Sequence, residues 1–233
     1  MNSAFPDINL NIDDIISNWA GVRPLIHEDG KSPSELSRKD EIFISDSGLI
    51  AIAGGKLTGY RKMAERVVDI VSEKIRAQEN ISLKPCQTDN IYFTNEPLKN
   101  SEAVNKYIQE IEMKTTALKL DNYFSWYLVT NYGKAAQEIL DKVKDFDNEA
   151  EIALTRAELA YCLEHEMVYT IADFYVRRTG RLYFEIQNIA ASKSYIIEDL
   201  SNYFEWSPDY KAQQVAAFEE EYKDATTYYD KEF

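Results

Sequence analysis

The stretch Leu49-Ile50-Ala51-Ile52-Ala53-Gly54-Gly55-Lys56-Leu57-Thr58 decides the fold of the first third of this 233-residue chain. Its first five residues are apolar on both faces, which predicts a strand inside a sheet. After Thr58, apolar residues recur at helical spacing, so the pattern favours Thr58 as the cap of a helix that runs to about Ala77. The sequence therefore predicts a strand, a glycine-rich turn and a helix in that order.

The glycine-rich turn has a recognisable chemistry. Bare backbone N–H groups at the positive end of a helix dipole suit a phosphate or an electron-rich ring carbonyl. A P-loop is excluded because a Walker motif needs Gly-Lys-Ser/Thr, whereas Gly59 is followed by Tyr60 and Arg61. The chain also contains no Gly-x-Gly-x-x-Gly, so a complete dinucleotide-binding unit is absent from the sequence. On spacing alone, the geometry of a tight turn is the better explanation of the glycines.

The chain divides into a mixed region and a helical region. Ile42–Ile44 predicts a strand that pairs with Leu49–Ala53 through a hairpin turn at Asp46-Ser47-Gly48. We predict a partial domain over residues 1–78, an irregular connection over residues 79–100 and a helical domain over residues 101–233. The predicted helices are Ser101–Met113, Asp121–Tyr132, Gly133–Val143, Thr155–Met167, Thr170–Arg178, Ile189–Tyr203 and Ser207 to about Tyr222. The fold class is α+β and predominantly α.

Three helix starts carry their own signals. Thr155 with Glu158, and Thr170 with Asp173, have the spacing of a capping box. Ser207 precedes a proline at the first helical position, which is typical of a capped helix start.

Composition limits the possible partners. The chain has 26 Lys and Arg against 40 Asp and Glu, a formal charge of −14, which argues against a general nucleic-acid binder. Between Trp19 and Arg66, however, eight basic residues balance seven acidic ones, so an anion would be handled there. Two cysteines predict a reduced compartment and no closed zinc site, and no metal site is expected. No apolar run reaches the roughly 20 residues that span a bilayer.

Single charged residues do not identify a site by themselves. Arg23 lies among apolar neighbours and needs either an anionic substrate or an internal carboxylate, of which the internal pair is favoured. Arg38 is an ordinary solvated charge or a bidentate phosphate binder, and the solvated charge is favoured when it is considered alone. His27 and His165 resemble loop and helix-surface residues. The run Arg177–Arg181 favours a helix end whose arginines offset the dipole.

Four ordered motifs together are more specific than any of these residues. Trp19–Leu25, Ser34–Ile42, Ala53–Glu65 and Glu166–Phe184 resemble the carboxy-terminal half of the FAD-dependent glycerol-3-phosphate dehydrogenases and the related alpha-glycerophosphate oxidases. The resemblance covers nearly the whole chain. It implies that the dinucleotide fingerprint lies near the amino terminus of a longer protein, so the sequence is expected to be a fragment that is inactive alone.

The resemblance assigns roles to individual residues. Arg23, Arg38 and Lys56 match positions that line the substrate pocket, with Arg38 at the phosphate and Arg23 and Lys56 near the C2 oxygen. In that family, backbone from one turn approaches the isoalloxazine ring. The matching residues here are Gly54, Gly55, Lys56, Leu57 and Thr58. Asp40 stands where many members have histidine, and Gly59 where many have threonine, which weakens any proposal of a base from that strand.

The implied reaction is hydride transfer from C2 of sn-glycerol 3-phosphate to FAD, which gives dihydroxyacetone phosphate. Electrons would then pass to a membrane quinone in a dehydrogenase, which is favoured, or to oxygen in an oxidase. The expected partners are glycerol 3-phosphate, an amino-terminal FAD domain of the same protein and a quinone, with no nucleic acid. The expected location is the cytoplasm or the inner face of the membrane. The alternative from another class is a non-catalytic helical interaction module.

Overall fold

The described part of the chain forms two compact units. The computed structural model describes residues 4–5, 7–22, 26, 40–94 and 96–228. One unit spans Gly21–Asn95, and the other combines Met1–Ala20 with Glu96–Phe233. The predicted division at residues 79–100 stays a prediction.

A β-hairpin and one long helix provide the regular structure of the Gly21–Asn95 unit. Strand β1 spans Asp40–Ile44 and pairs antiparallel with strand β2, which spans Ile50–Gly54. Helix α1 follows at Tyr60–Glu79. The predicted hairpin is therefore present, and α1 ends two residues beyond its predicted end.

The hairpin turn follows the predicted composition. The Ser45 N–H donates to the Leu49 carbonyl over 3.0 Å, and the Gly48 N–H donates to the Ser45 carbonyl over 2.9 Å. Gly48 has a φ of +88°, a backbone conformation that glycine adopts without the steric cost of a Cβ atom.

The Gly21–Asn95 unit has very little interior among its described residues. The expectation that β2 is internal is wrong here, because the described sheet has only two strands and β2 pairs with β1 alone. No residue of β1, β2 or α1 is buried. A two-stranded sheet gives an apolar strand no second neighbour to cover it. Large apolar side chains are therefore left exposed: Phe43, Ile44, Leu49, Leu57, Val68 and Val71.

The second unit is helical. Its described α-helices are α2 (Ser101–Ala117), α3 (Tyr123–Tyr132), α4 (Ala136–Lys142), α5 (Ala150–His165), α6 (Arg181–Phe184), α7 (Ile186–Tyr203) and α8 (Pro208–Thr226). A π-helical segment covers Asp173–Arg178. The predicted fold class, α+β and predominantly α, is confirmed.

Two apolar clusters form the core of the helical unit. The first gathers side chains from α2, α3, α4 and the first half of α5, with Ile111, Leu128 and Ile139 fully buried. The second gathers side chains from the end of α5 through α8, with Phe174 and Ile189 fully buried. Helix α5 contributes to both clusters. Burial of these apolar surfaces is the main favourable term that holds short helices together.

Two of the three predicted helix starts are confirmed. The Ser207 hydroxyl accepts the Tyr210 N–H over 3.2 Å at the start of α8, and Pro208 is its first residue. Thr170 and Asp173 form a reciprocal pair: Thr170 Oγ1 accepts the Asp173 N–H over 3.0 Å, and Asp173 Oδ2 accepts the Thr170 N–H over 2.9 Å. Both arrangements satisfy N–H groups that have no partner within the helix.

The predicted start of α5 at Thr155 is wrong. The helix begins at Ala150, so Thr155 is an interior residue whose hydroxyl donates to the Glu151 carbonyl over 2.8 Å. Ala153 and Leu154 are buried in the core, and this packing extends the helix to the amino-terminal side of Thr155. Glu158 is fully buried and does not act as a cap.

A segment near the amino terminus packs on the helical unit. The Ser17 hydroxyl donates to the Leu182 carbonyl over 2.8 Å, and the Asn18 N–H donates to the Ala225 carbonyl over 2.9 Å. The ring of Trp19 lies 5.0 Å from the ring of Tyr183. These contacts join the segment near the amino terminus to α6 and to the end of α8.

A buried ion pair lies at the centre of the helical unit. Arg181 on α6 and Glu158 on α5 have side-chain exposures of 1% and 0%, and Arg181 Nη1 lies 2.5 Å from Glu158 Oε2. The N–H direction is not aligned as in a hydrogen bond, so this contact is electrostatic rather than directional. The other carboxylate oxygen, Oε1, accepts hydrogen bonds from Tyr127 over 2.6 Å and Tyr132 over 2.5 Å, both on α3.

The ion pair extends to a second carboxylate. Arg181 Nε donates to Glu185 Oε2 over 3.2 Å, and Glu185 Oε1 accepts the Tyr123 hydroxyl over 2.6 Å. Burial and the hydrogen bond to Glu185 raise the pKa of Tyr123 to about 12. Burial is the largest single influence and lowers the pKa of the Arg181 guanidinium, but Glu158, Tyr127 and Glu185 together outweigh it and raise that pKa. Arg181 is therefore held as a cation in the core.

We predict that Arg181→Met destabilises the full chain by about 3–5 kcal/mol, because Glu158 is left as a buried charge without its partner. Adding Glu158→Gln to Arg181→Met removes the unpaired buried charge. The double variant should recover part of the lost stability, since the glutamine oxygen still accepts hydrogen bonds from the tyrosines. Urea unfolding followed by circular dichroism measures the free energy of unfolding.

Arg177→Met is the matched control, because Arg177 pairs with Asp173 at the surface with 59% of its side chain exposed. Its loss should be below about 1 kcal/mol. Equal losses for Arg177→Met and Arg181→Met would contradict a central role for the buried pair.

Candidate functional site

The turn between β2 and α1 has a backbone that excludes side chains. Gly54 and Gly55 have φ values of +79° and +77°, which residues with a Cβ atom rarely adopt. A Cβ atom on Gly55 would lie 2.9 Å from Met63 Sδ and 3.2 Å from Asp40 Cβ. Gly55 is thus required by its backbone conformation and by the close approach of β1 and α1.

The turn continues into a short 3₁₀ helix, Leu57–Gly59, directly before α1. The Gly59 N–H donates to the Lys56 carbonyl over 2.8 Å. The first N–H groups of a helix have no acceptor within it, so Leu57 and Thr58 present theirs at the positive end of the α1 dipole. The expectation that Thr58 caps α1 is wrong, because the N-cap residue is Gly59 and no side chain caps the helix. The short 3₁₀ turn shifts the start of α1 past Thr58.

Lys56 is a cation of this turn without an ion-pair partner among the described residues. Its side chain is exposed and forms no ion pair within residues 40–94 that the structure describes. The nearby cations are neutralised: Arg61 Nη1 lies 3.4 Å and Lys62 Nζ 2.7 Å from carboxylate oxygens of Glu65. An unpaired ammonium beside free N–H groups can hold an anionic or electron-rich oxygen.

Asp40 has a structural partner on α1. Its carboxylate forms an ion pair with Arg66, which joins the start of β1 to the second turn of the helix. Asp40 therefore contributes to the support of the turn.

Two of the predicted site residues, Arg23 and Arg38, lie outside the described residues, as does His27. Among the described residues, the structure brings together Gly54, Gly55, Lys56, Leu57 and Thr58 on one turn. The predicted substrate and cofactor roles of all these residues stay predictions.

Sequence analysis missed the buried charges of the helical unit. The favoured interpretation of the run Arg177–Arg181 as a helix end whose arginines offset the dipole fails for Arg181, which is buried against Glu158. It holds for Arg177, which pairs with Asp173 over 2.8 Å. The available signal was the position of Arg181 between a glycine and an apolar residue. In the structure Gly180 has a φ of +65°, and Leu182 is buried in the core.

Among the helices of the described residues, none has the length and apolar composition needed to cross a membrane.

A family model described as the C-terminal domain of alpha-glycerophosphate oxidase matches residues 86–211, which is more than half of the chain. Those residues include most of the helical unit and the buried ion pair.

Curated relatives extend the similarity to almost the whole chain. The aerobic glycerol-3-phosphate dehydrogenase of Bacillus subtilis (strain 168) is 42% identical over 215 residues, which cover 91% of this chain and 39% of the relative. The protein of the same name from Staphylococcus aureus (strain bovine RF122 / ET3-1) is 36% identical over 227 residues, which cover 97% of this chain and 40% of the relative. The chain thus spans about two fifths of the length of these relatives.

A solved structure is similar in sequence and in fold. It is the glycerol-3-phosphate dehydrogenase from Bacillus halodurans complexed with FAD, with a TM-score of 0.78 and 37% identity. The match covers 97% of this chain and 43% of that one. On these grounds the chain belongs to the family defined by the C-terminal domain of alpha-glycerophosphate oxidase.

Proposed function

We propose that this chain is part of a flavoprotein that oxidises sn-glycerol 3-phosphate to dihydroxyacetone phosphate, with FAD as the hydride acceptor. The observation that carries the proposal is the Gly54–Thr58 turn, where the N–H groups of Leu57 and Thr58 and the Lys56 ammonium have no partner among the residues that the structure describes. The family of the chain and the FAD complex of the Bacillus halodurans relative support it. Bound FAD would supply the oxidising ring, and the protein would supply orientation and charge.

The backbone of the turn fits a flat ring. Gly54 and Gly55 carry no side chain, so a planar group can approach their peptide bonds closely. The N–H groups of Leu57 and Thr58 would donate to a ring carbonyl. The positive end of α1 favours negative charge at that position, which is where a reduced flavin gains it.

The cations would bind the substrate. The Lys56 ammonium would contact the oxygen at C2, and Arg23 would approach the same oxygen. Arg38 would bind the phosphate, because a planar guanidinium offers two parallel donors to a phosphate group. These contacts would fix C2 and its hydrogen against the ring, which lowers the entropic cost of reaching the reactive geometry.

The FAD itself would need a further domain. The sequence has no Gly-x-Gly-x-x-Gly, so a separate dinucleotide-binding fold is required, in the same polypeptide or in another one. The absence of a buried residue in β1, β2 and α1 supports this inference. Apolar strands without a covering layer need a further sheet or helix layer. The proposed partner is therefore the domain that completes the sheet around β2.

The electron acceptor after FAD is proposed to be a quinone, with oxygen as the alternative within the same family. A glycerol-3-phosphate assay of the flavin-loaded enzyme that contains this chain separates the two. Reduction of a soluble quinone without peroxide supports a dehydrogenase, whereas stoichiometric peroxide in air contradicts it.

We predict that Lys56→Met in that flavin-loaded enzyme lowers kcat/KM for glycerol 3-phosphate by about 10²–10³-fold, because one charged donor to the reacting oxygen is lost. Steady-state kinetics measure the change, and flavin absorbance verifies that FAD remains bound. Lys62→Met is the matched control, since the Lys62 ammonium pairs with Glu65. If the two variants have the same kcat/KM, Lys56 does not bind the substrate.

We also predict that Gly55→Ala weakens FAD retention by about tenfold or more, because an alanine at a φ of +77° costs roughly 1–2 kcal/mol and distorts the turn. Equilibrium dialysis of the enzyme against free FAD gives the affinity.

Gly59→Ala is the control for this variant, because Gly59 has a φ of −86° and a Cβ atom there meets nothing within 4 Å. Retention of FAD by Gly55→Ala at the level of Gly59→Ala would exclude a close approach of the ring to Gly55.

A further inference from the structure

A group of metal-ligating side chains lies on the helical unit, away from the Gly54–Thr58 turn in sequence. Glu138 belongs to α4, and Glu164 and His165 form the last turn of α5. One ligand atom from each of these three residues lies within 4.8 Å of the other two. Helices α4 and α5 pack against each other, so the cluster joins two elements of the same core.

The distances between the ligand atoms suit a small divalent cation. His165 Nε2 lies 3.0 Å from Glu138 Oε1 and 3.7 Å from Glu164 Oε2. Two ligands of a tetrahedral zinc ion, each bound at about 2.1 Å, are separated by about 3.4 Å. These two distances lie on either side of that value, and the third pair of ligand atoms lies within 4.8 Å.

The imidazole is already oriented. The ring of His165 packs on the ring of Tyr161, one helical turn earlier, with 4.6 Å between the ring centroids. Its Nε2 atom is directed at Glu138 on the neighbouring helix. An imidazole nitrogen with two carboxylates selects zinc and related transition metals over magnesium and calcium, which prefer oxygen ligands alone.

The local charge favours a cation. Lys142 Nζ lies 2.9 Å from Glu164 Oε2, so one ammonium already binds this group of acids. The Glu164 oxygen that faces His165 is the same Oε2 that binds the Lys142 ammonium, so a metal would displace Lys142 from it.

We propose that Glu138, Glu164 and His165 bind a divalent transition-metal cation, with Zn²⁺ as the best-matched ion, and that the ion joins α4 to α5. Three protein ligands leave one tetrahedral position for water. The proposed site goes against the expectation from the sequence, which was that the chain has no metal site. It does not depend on the proposed flavoenzyme activity.

Isothermal titration of the full chain with zinc chloride tests the proposal. All variants carry Cys86→Ser, because the Cys86 thiol is partly exposed and would bind zinc by itself. We expect one zinc ion per chain and an increase in Tm on zinc addition, because an ion that binds only the folded state stabilises it. His165→Gln and Glu138→Gln should each weaken binding by about tenfold or more and abolish the Tm increase.

Two variants are matched controls. His27→Gln removes the other histidine of the chain, and Glu219→Gln removes an exposed acid that pairs with Lys193 on another face. Both should bind zinc as the parent does, and circular dichroism verifies that every variant is folded. Zinc binding that is unchanged by His165→Gln, or no saturable binding to the parent, would overturn the proposal and leave a surface ion-pair cluster.

Discussion

The buried pair of Glu158 and Arg181 is the constraint on which the helical unit depends. Burial of a carboxylate and a guanidinium costs free energy unless their charges meet partners, and here the partners come from several helices. Glu158 Oε2 and both Nη atoms of Arg181 have no hydrogen-bond partner among the described residues, so at these atoms the pair depends on the attraction of the two charges. Tyr127 and Tyr132 bring α3 to α5, and Arg181 brings α6 to the same carboxylate. The two apolar clusters supply most of the burial, while the contacts of Glu158 join α3 and α6 to α5.

The Gly21–Asn95 unit follows a different principle. It supplies a turn whose N–H groups and lysine have no partner in the described part of the chain, but its hairpin and helix bury almost nothing of their own. Such a unit can hold a functional turn in place only if another layer covers its apolar strands. The proposed FAD domain would serve both purposes, because the domain that provides the dinucleotide fold would also cover β2. The site and the stability of this unit would then depend on the same partner.

Local rules predicted the parts of the fold that local interactions decide. The hairpin turn at Gly48 and the capped starts at Thr170 and Ser207 depend on groups a few residues apart, and all three are present. The sequence did not show which distant residues pack against each other. Thr155 has a capping signal, yet α5 begins earlier because Ala153 and Leu154 are buried. The five residues of the Gly54–Thr58 turn were identified from motif and resemblance, whereas the burial of Arg181 required knowledge of where Glu158 lies.

The central claim is that this chain works as part of an FAD-containing enzyme that oxidises glycerol 3-phosphate. The most direct test is to isolate the native protein from producing cells with an antibody against this chain, and to record its flavin spectrum before and after addition of glycerol 3-phosphate without air. The account predicts one FAD for each copy of the chain, with flavin absorbance that is bleached by the substrate. Native protein without flavin, or with flavin that glycerol 3-phosphate does not reduce, would contradict it.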